Sequence, residues 1–156
     1  MEVLVDAMLG SLARWLRFAG VDAEYAGVED PDEVIAARAV AEGRWLVTMD
    51  RELASVGPRT VLIRSGSVDE QFVELCRRLR IEPDPTLDSS RCAECNGELE
   101  DLAAKEARPL VPPYVARTSD RFRRCRRCQR IYWKGTHSDR IRIRLEELTS
   151  RLSCGA

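Results

Sequence analysis

The chain reads as an α/β protein in which a parallel sheet flanked by helices is followed by a small zinc ribbon. Three observations predict this. Over the first 80 residues short apolar runs alternate with helical periods. Two acids, Asp6 and Asp50, each follow one of those runs at once. Beyond residue 91 the alternation stops and two Cys-x-x-Cys pairs appear.

Val3-Leu4-Val5 predicts a strand over 2–5. A helix near 8–19 follows, with Leu9, Leu12, Ala13 and Leu16 on one face, and Gly20 closes it. A weak strand, Ala23–Ala26, leads into EDPDEVIAARAVAEG. There Asp30 is expected to cap a helix, Pro31 to take its first position, Glu33 to close a capping box and Gly43 to end it. A strand over 45–48, a short helix near 50–55, a strand over 60–63 and a helix near 68–80 complete the series. The last helix should bury Phe72, Leu75, Cys76 and Leu79. Such spacing implies right-handed βαβ units and a mostly parallel sheet covered on both faces. The stretch IEPDPTLDSSR, with its prolines and acids, reads as a connection. The expected organisation is an α/β domain over 1–82, a linker over 83–91, and a ribbon over 92–156 that ends in a charged helix near 139–152. Pro109, Pro112 and Pro113 are expected to permit only short strands between the cysteine pairs.

Cys92/Cys95 and Cys125/Cys128 are separated by 29 residues. A Cys-x-x-Cys turn aims two sulfurs at one point, and two such turns complete a tetrahedral site for structural Zn²⁺. An iron–sulfur centre shares that spacing. Cys76 lies on an apolar helical stripe and is expected in the core; Cys154 carries no assigned role.

In a parallel sheet, ligands bind outside the carboxyl ends of the strands. Asp6 and Asp50 both belong to that edge. If their strands are neighbours, two carboxylates converge and repel unless a cation lies between them. Oxygen ligands with water positions left open suit Mg²⁺ or Mn²⁺, which would activate water toward a phosphodiester. The alternative is that each acid is simply a helix cap. Asp30, Asp32 or Glu33 at one helix start, and Asp69 or Glu70 at another, are further candidates, and each also reads as an ordinary first-turn acid. Met8 stands where a haloacid-dehalogenase-type phosphatase needs a second Asp. No phosphate-binding glycine loop is present, and a single histidine, His137, speaks against a Ser-His-Asp triad.

The net charge of −1 conceals two opposite halves. Residues 1–85 carry 10 Arg against 16 acids, while residues 86–156 carry 15 Lys and Arg against 10 acids. Between Arg117 and Arg144 there are 11 basic residues and two acids. This segment reads either as a solvated face or as a polyanion-binding surface. On the second reading Arg123, Arg124, Arg126, Arg127, Arg130, Lys134 and His137 are the residues expected to touch RNA. Tyr132 or Trp133 would stack on bases, though at least one of the two should be core. There is neither an apolar run of about 18 residues nor a signal-peptide pattern, so no membrane span and a cytoplasmic location are expected. Oligomeric state is left open.

The stretches VDAMLGSLARWLRFAGVDAEY, RWLVTMDREL and IYWKGTH, with the two cysteine pairs, resemble the Mut-seven C-terminal RNase domain family. That resemblance spans Val3 to about His137. It implies a PIN-like nuclease domain followed by a zinc ribbon, and a metal-dependent ribonuclease, an endonuclease, using Mg²⁺ or Mn²⁺. By position it assigns Asp6 and Asp50 as catalytic acids, Asp32 or Asp30 as a third, and Asp69 as the nearest match to a fourth. The competing functions are a non-catalytic RNA- or ribosome-binding module and a protein-interaction adaptor using the ribbon.

Overall fold

In a computed structural model that describes residues 1–153, β1 (Glu2–Val5), β2 (Asp22–Tyr25), β3 (Trp45–Thr48) and β4 (Thr60–Leu62) form one parallel sheet. The strand order is β2-β1-β3-β4. Val5 is level with Tyr25 on one side and with Val47 on the other. Successive side chains of a strand face opposite ways. Val3 and Val5 accordingly join a core with α1 (Gly10–Phe18) and α4 (Val68–Leu79), while Leu4 joins α2 (Asp32–Ala41) and α3 (Arg51–Ala54) on the other face.

The expected strands and helices are present, with two local differences. A 3₁₀ turn, Ala7–Leu9, precedes α1. At α2 the N-cap position falls on Pro31, and the Asp30 carboxylate turns back to accept from the Gly27 N–H at 2.9 Å. Pro31 has the extended backbone that a cap needs, with ψ near 150°, so the helix starts one residue later than the capping-box pattern predicts.

The connection over 83–91 is tied down. The Asp84 carboxylate accepts from the N–H and hydroxyl of both Thr86 and Ser89, and the Asp84 N–H donates to the Ala19 carbonyl. Beyond it, β5 (Leu99–Leu102), β6 (Phe122–Cys125) and β7 (Ile131–Trp133) form an antiparallel sheet. Between β5 and β6 the chain makes α5 (Ala104–Ala107), a 3₁₀ turn over Arg108–Leu110 and α6 (Pro113–Thr118). This corrects the expectation of strands alone. Pro113 is the first residue of α6, where its missing N–H costs nothing and its fixed φ favours a helix start. Ala107, Leu102 and Phe122 form a separate small core beneath these helices.

The last helix, α7 (Thr136–Ser153), returns to the first sheet. Its Ile141, Leu145 and Leu148 are buried in the same core as Leu12, Leu16 and Phe72. Each such side chain is worth roughly 1.5–3 kcal/mol of burial, so α7 is a substantial wall of that core. Cys154 lies outside the described residues. No helix among them is long and apolar enough to cross a membrane.

Candidate active edge and metal centre

Neighbouring strands β1 and β3 deliver Asp6 and Asp50 to the same carboxyl edge. Thr48, fully buried at the end of β3, links them. Its hydroxyl donates to Asp6 Oδ2 at 2.7 Å and accepts from the Asp50 N–H at 2.9 Å. The Asp6 N–H donates to the Val47 carbonyl, which fixes the end of β1 against β3. Both acids also cap. Asp6 Oδ1 accepts from the Ala7 N–H at 2.6 Å, and Asp50 Oδ1 accepts from the N–H groups of Glu52 and Leu53. Capping and ligation are compatible, because a carboxylate offers about four acceptor sites. Asp50 Oδ2 has no hydrogen-bond partner among the described residues, and Asp6 is only 7% exposed.

The other candidate acids stand apart. Asp30 is committed to its turn with Gly27, and Asp32 is exposed in the first turn of α2. Asp69, in the first turn of α4, pairs with Arg144 of α7. Among the described residues the four cysteines are the only group of three or more His, Cys, Asp or Glu with ligand atoms within 4.8 Å of one another.

Those cysteines sit in two matching turns. The N–H of Cys92 donates to Gly97 O and the N–H of Asn96 to Cys92 O; likewise Cys125 donates to Arg130 O and Gln129 to Cys125 O. Asn96 and Gln129, each just after the second cysteine of its turn, have φ of 63° and 62°. The Cys92–Cys128 and Cys95–Cys125 sulfurs are 3.5 and 3.4 Å apart. Zn–S bonds of about 2.3 Å in a tetrahedron put sulfurs about 3.8 Å apart, so this donor set fits Zn²⁺. Gly97 is required by space: a Cβ there would lie 2.7 Å from Cys125 Sγ. Burial works against the Cys92 thiolate, yet the Tyr132 hydroxyl and the N–H groups of Cys95 and Glu94 outweigh it and bring that thiol down to about 6. Cys95 is instead pushed up to about 12, by burial first. A bound Zn²⁺ would displace the thiol protons into solvent and be held by the four sulfurs as thiolates.

The first cysteine turn is bound into the α/β sheet through residues that sequence reasoning missed. Asn96, wholly buried, accepts from the Ala23 N–H of edge strand β2 at 3.0 Å and donates to Asp22 at 2.8 Å. Arg17 of α1, also buried, donates to the carbonyls of Ala23, Ala93 and Glu94. Burial lowers the Arg17 guanidinium below its ordinary value, and Glu24 and the cysteines partly offset this. The only signal in the sequence was a helical arginine beside the apolar stripe of α1.

The basic segment is largely neutralised within the chain. Arg124 pairs with Glu100 at 2.8 Å, Arg126 with Glu98 and Glu100, Arg127 with Glu24 at 3.1 Å and Arg130 with Glu94 at 3.5 Å. Arg123 donates to the carbonyls of Leu87 and Leu99. Tyr132 is half-buried against Cys92, its hydroxyl accepting from the Ala93 N–H. Trp133 stays 38% exposed, and Lys134 and His137 are exposed.

A family model described as the Mut7-C RNAse domain matches residues 1–145 of the 156-residue chain. No curated protein and no solved structure matches.

Proposed function

The chain belongs to the Mut7-C RNAse domain family, and from that premise we propose that it is a metal-dependent endoribonuclease acting at the carboxyl edge of its parallel sheet. The observation that carries this reading is the Asp6–Thr48–Asp50 unit, in which one buried hydroxyl joins the Asp6 carboxylate to the Asp50 backbone N–H at the ends of adjacent strands. Asp6 and Asp50 would hold Mg²⁺ or Mn²⁺. Mg²⁺ commonly takes only one or two protein carboxylates and fills its other positions with water and substrate phosphate. Once bound, the ion would supply an activated water and a clamp for the phosphodiester oxygens.

The residues around it do the positioning. Thr48 holds Asp6 with Oδ2 occupied on one side only, and the backbone donors of α3 hold Asp50 so that Oδ2 faces away from its cap. The ribbon's four cysteines would hold a structural Zn²⁺, which leaves no open position and so takes no part in the reaction. Asp30, Asp32 and Asp69 join the site only by rearrangement in this reading. The protein works in the cytoplasm.

A second reading, a non-catalytic RNA-binding module, is favoured by one observation: Asp69 is paired with Arg144 instead of with the other acids. The test is to incubate the purified protein with single-stranded and structured RNAs, with Mn²⁺ added or withheld. Internal cuts that require the ion support the first reading. RNA binding without cuts supports the second.

A further inference from the structure

We propose that RNA is gripped where the ribbon passes into α7, with Lys134 and Arg140 neutralising phosphates and Trp133 stacking on a base. This rests on the ribonuclease reading above. Helices α4 and α7 run parallel: Arg144 pairs with Asp69, and Arg77 donates to the Arg151 carbonyl about two turns further along both. Because α4 follows β4, it begins at the carboxyl edge of the sheet. Asp69 is the second residue of α4, whereas Arg144 is the ninth of α7. At the helical rise, seven residues put the start of α7 about 10 Å further out than that of α4. The first two turns of α7 therefore stand beyond the edge that bears Asp6 and Asp50.

The charges divide accordingly. Arg124, Arg126, Arg127 and Arg130 each have an acid partner. Lys134 and Arg140 are exposed, and no ion pair holds either among the described residues. The exposed cations Arg117 and Arg121 flank Ser119, whose hydroxyl donates to the Lys134 carbonyl at 3.0 Å, so they border the same surface. On β6, Arg123 reaches Leu87 of the connection, so Phe122 beside it points the opposite way, into the small core under α5 and α6, and Trp133, level with Phe122 on β7, shares that face. A carboxylate edge alone repels a polyanion; free cations standing beside it restore complementarity. Trp133 adds a partly open ring, which selects a strand whose bases are unpaired.

The experiment is salt-dependent binding of a fluorescent single-stranded RNA to zinc-loaded protein without added Mg²⁺ or Mn²⁺. Each phosphate that the protein no longer neutralises should reduce the log–log salt slope by about 0.7. The double variant Lys134→Ala/Arg140→Ala removes two such cations, so its slope should fall by about 1.4. Arg126→Ala/Arg130→Ala, which removes cations already paired with acids, should keep the parent slope. Trp133→Leu, which keeps apolar packing, should weaken binding by about tenfold with the slope unchanged. A parent-like slope in the Lys134/Arg140 variant would overturn the proposal, as would a parent protein that binds no RNA. Cleavage is not read here, so a protein that binds through these residues yet never cuts leaves this proposal standing and removes the nuclease reading.

Discussion

The hydroxyl of Thr48 donates to Asp6 Oδ2 at 2.7 Å, across the seam between two parallel strands. The same oxygen accepts from the Asp50 N–H, so one side chain ties the Asp6 carboxylate to the Asp50 backbone. Thr48→Val keeps the shape and removes both bonds. Leaving the Asp50 N–H and one Asp6 oxygen without their partner should cost about 1–3 kcal/mol, measured by urea denaturation. Cleavage should fall further than that loss accounts for at a temperature where the variant is fully folded. Full cleavage by folded Thr48→Val would remove the positioning role.

Asn96 provides a test of how the ribbon is joined to the sheet. It is wholly buried, bonds Ala23, Asp22 and Glu24, and has a φ of 63°. Asn96→Ala loses those bonds and also places an alanine in the left-handed region; a destabilisation of roughly 2–4 kcal/mol is expected. Asn96→Gly loses the bonds alone and should recover about 1 kcal/mol of it. Equal melts for parent, Ala and Gly variants would show that the first cysteine turn does not bear on the α/β core.

Much of this architecture was legible in the sequence, and the reasons are local. Alternating strands and helices, the acids after β1 and β3, and paired cysteines are all short-range patterns. What was not legible depends on residues far apart in the chain. The charged helix looked like part of the ribbon because its neighbours in sequence are there, yet Leu145 and Leu148 pack beside Phe72. Arg127 looked free because Glu24 is 103 residues away. Thr48 was passed over because a threonine ending a strand is ordinary until a second strand puts a carboxylate beside it.

Gly97 should prove sensitive to a single methyl group. A Cβ at that position would lie 2.7 Å from Cys125 Sγ, 2.9 Å from Arg127 Cβ and 3.3 Å from Cys95 Sγ. Gly97→Ala must push two ligand sulfurs out of place. Competition with a chromophoric chelator should show zinc released more readily than from the parent. Unchanged zinc retention would mean that the turn has room the structure does not show.

Acid should loosen the connection before it unfolds the sheet. Burial opposes ionisation of Asp84, but hydrogen bonds from the side chains and N–H groups of Ser89 and Thr86 prevail and hold its carboxyl at about 2. A carboxyl depressed in the folded state stabilises the fold above its unfolded value near 3.8. That contribution is lost as pH falls from about 4 toward 2. Melting temperature should decline across this window in the parent, and less steeply in Asp84→Asn. Parallel profiles would assign the acid sensitivity elsewhere.

The central claim is that Asp6 and Asp50 are ligands as well as caps. Asparagine caps helices about as well as aspartate and keeps its size, but it removes the charge a divalent cation needs. The most direct measurement is Mn²⁺-dependent cleavage of single-stranded RNA by the parent, Asp6→Asn and Asp50→Asn, with melting temperature and zinc content recorded for each. The predicted result is internal cleavage by the parent only when Mn²⁺ is present, and none by either variant, while both stay folded and zinc-loaded. Cleavage at the parent rate by both folded variants would contradict the claim and leave Asp6 and Asp50 as caps alone.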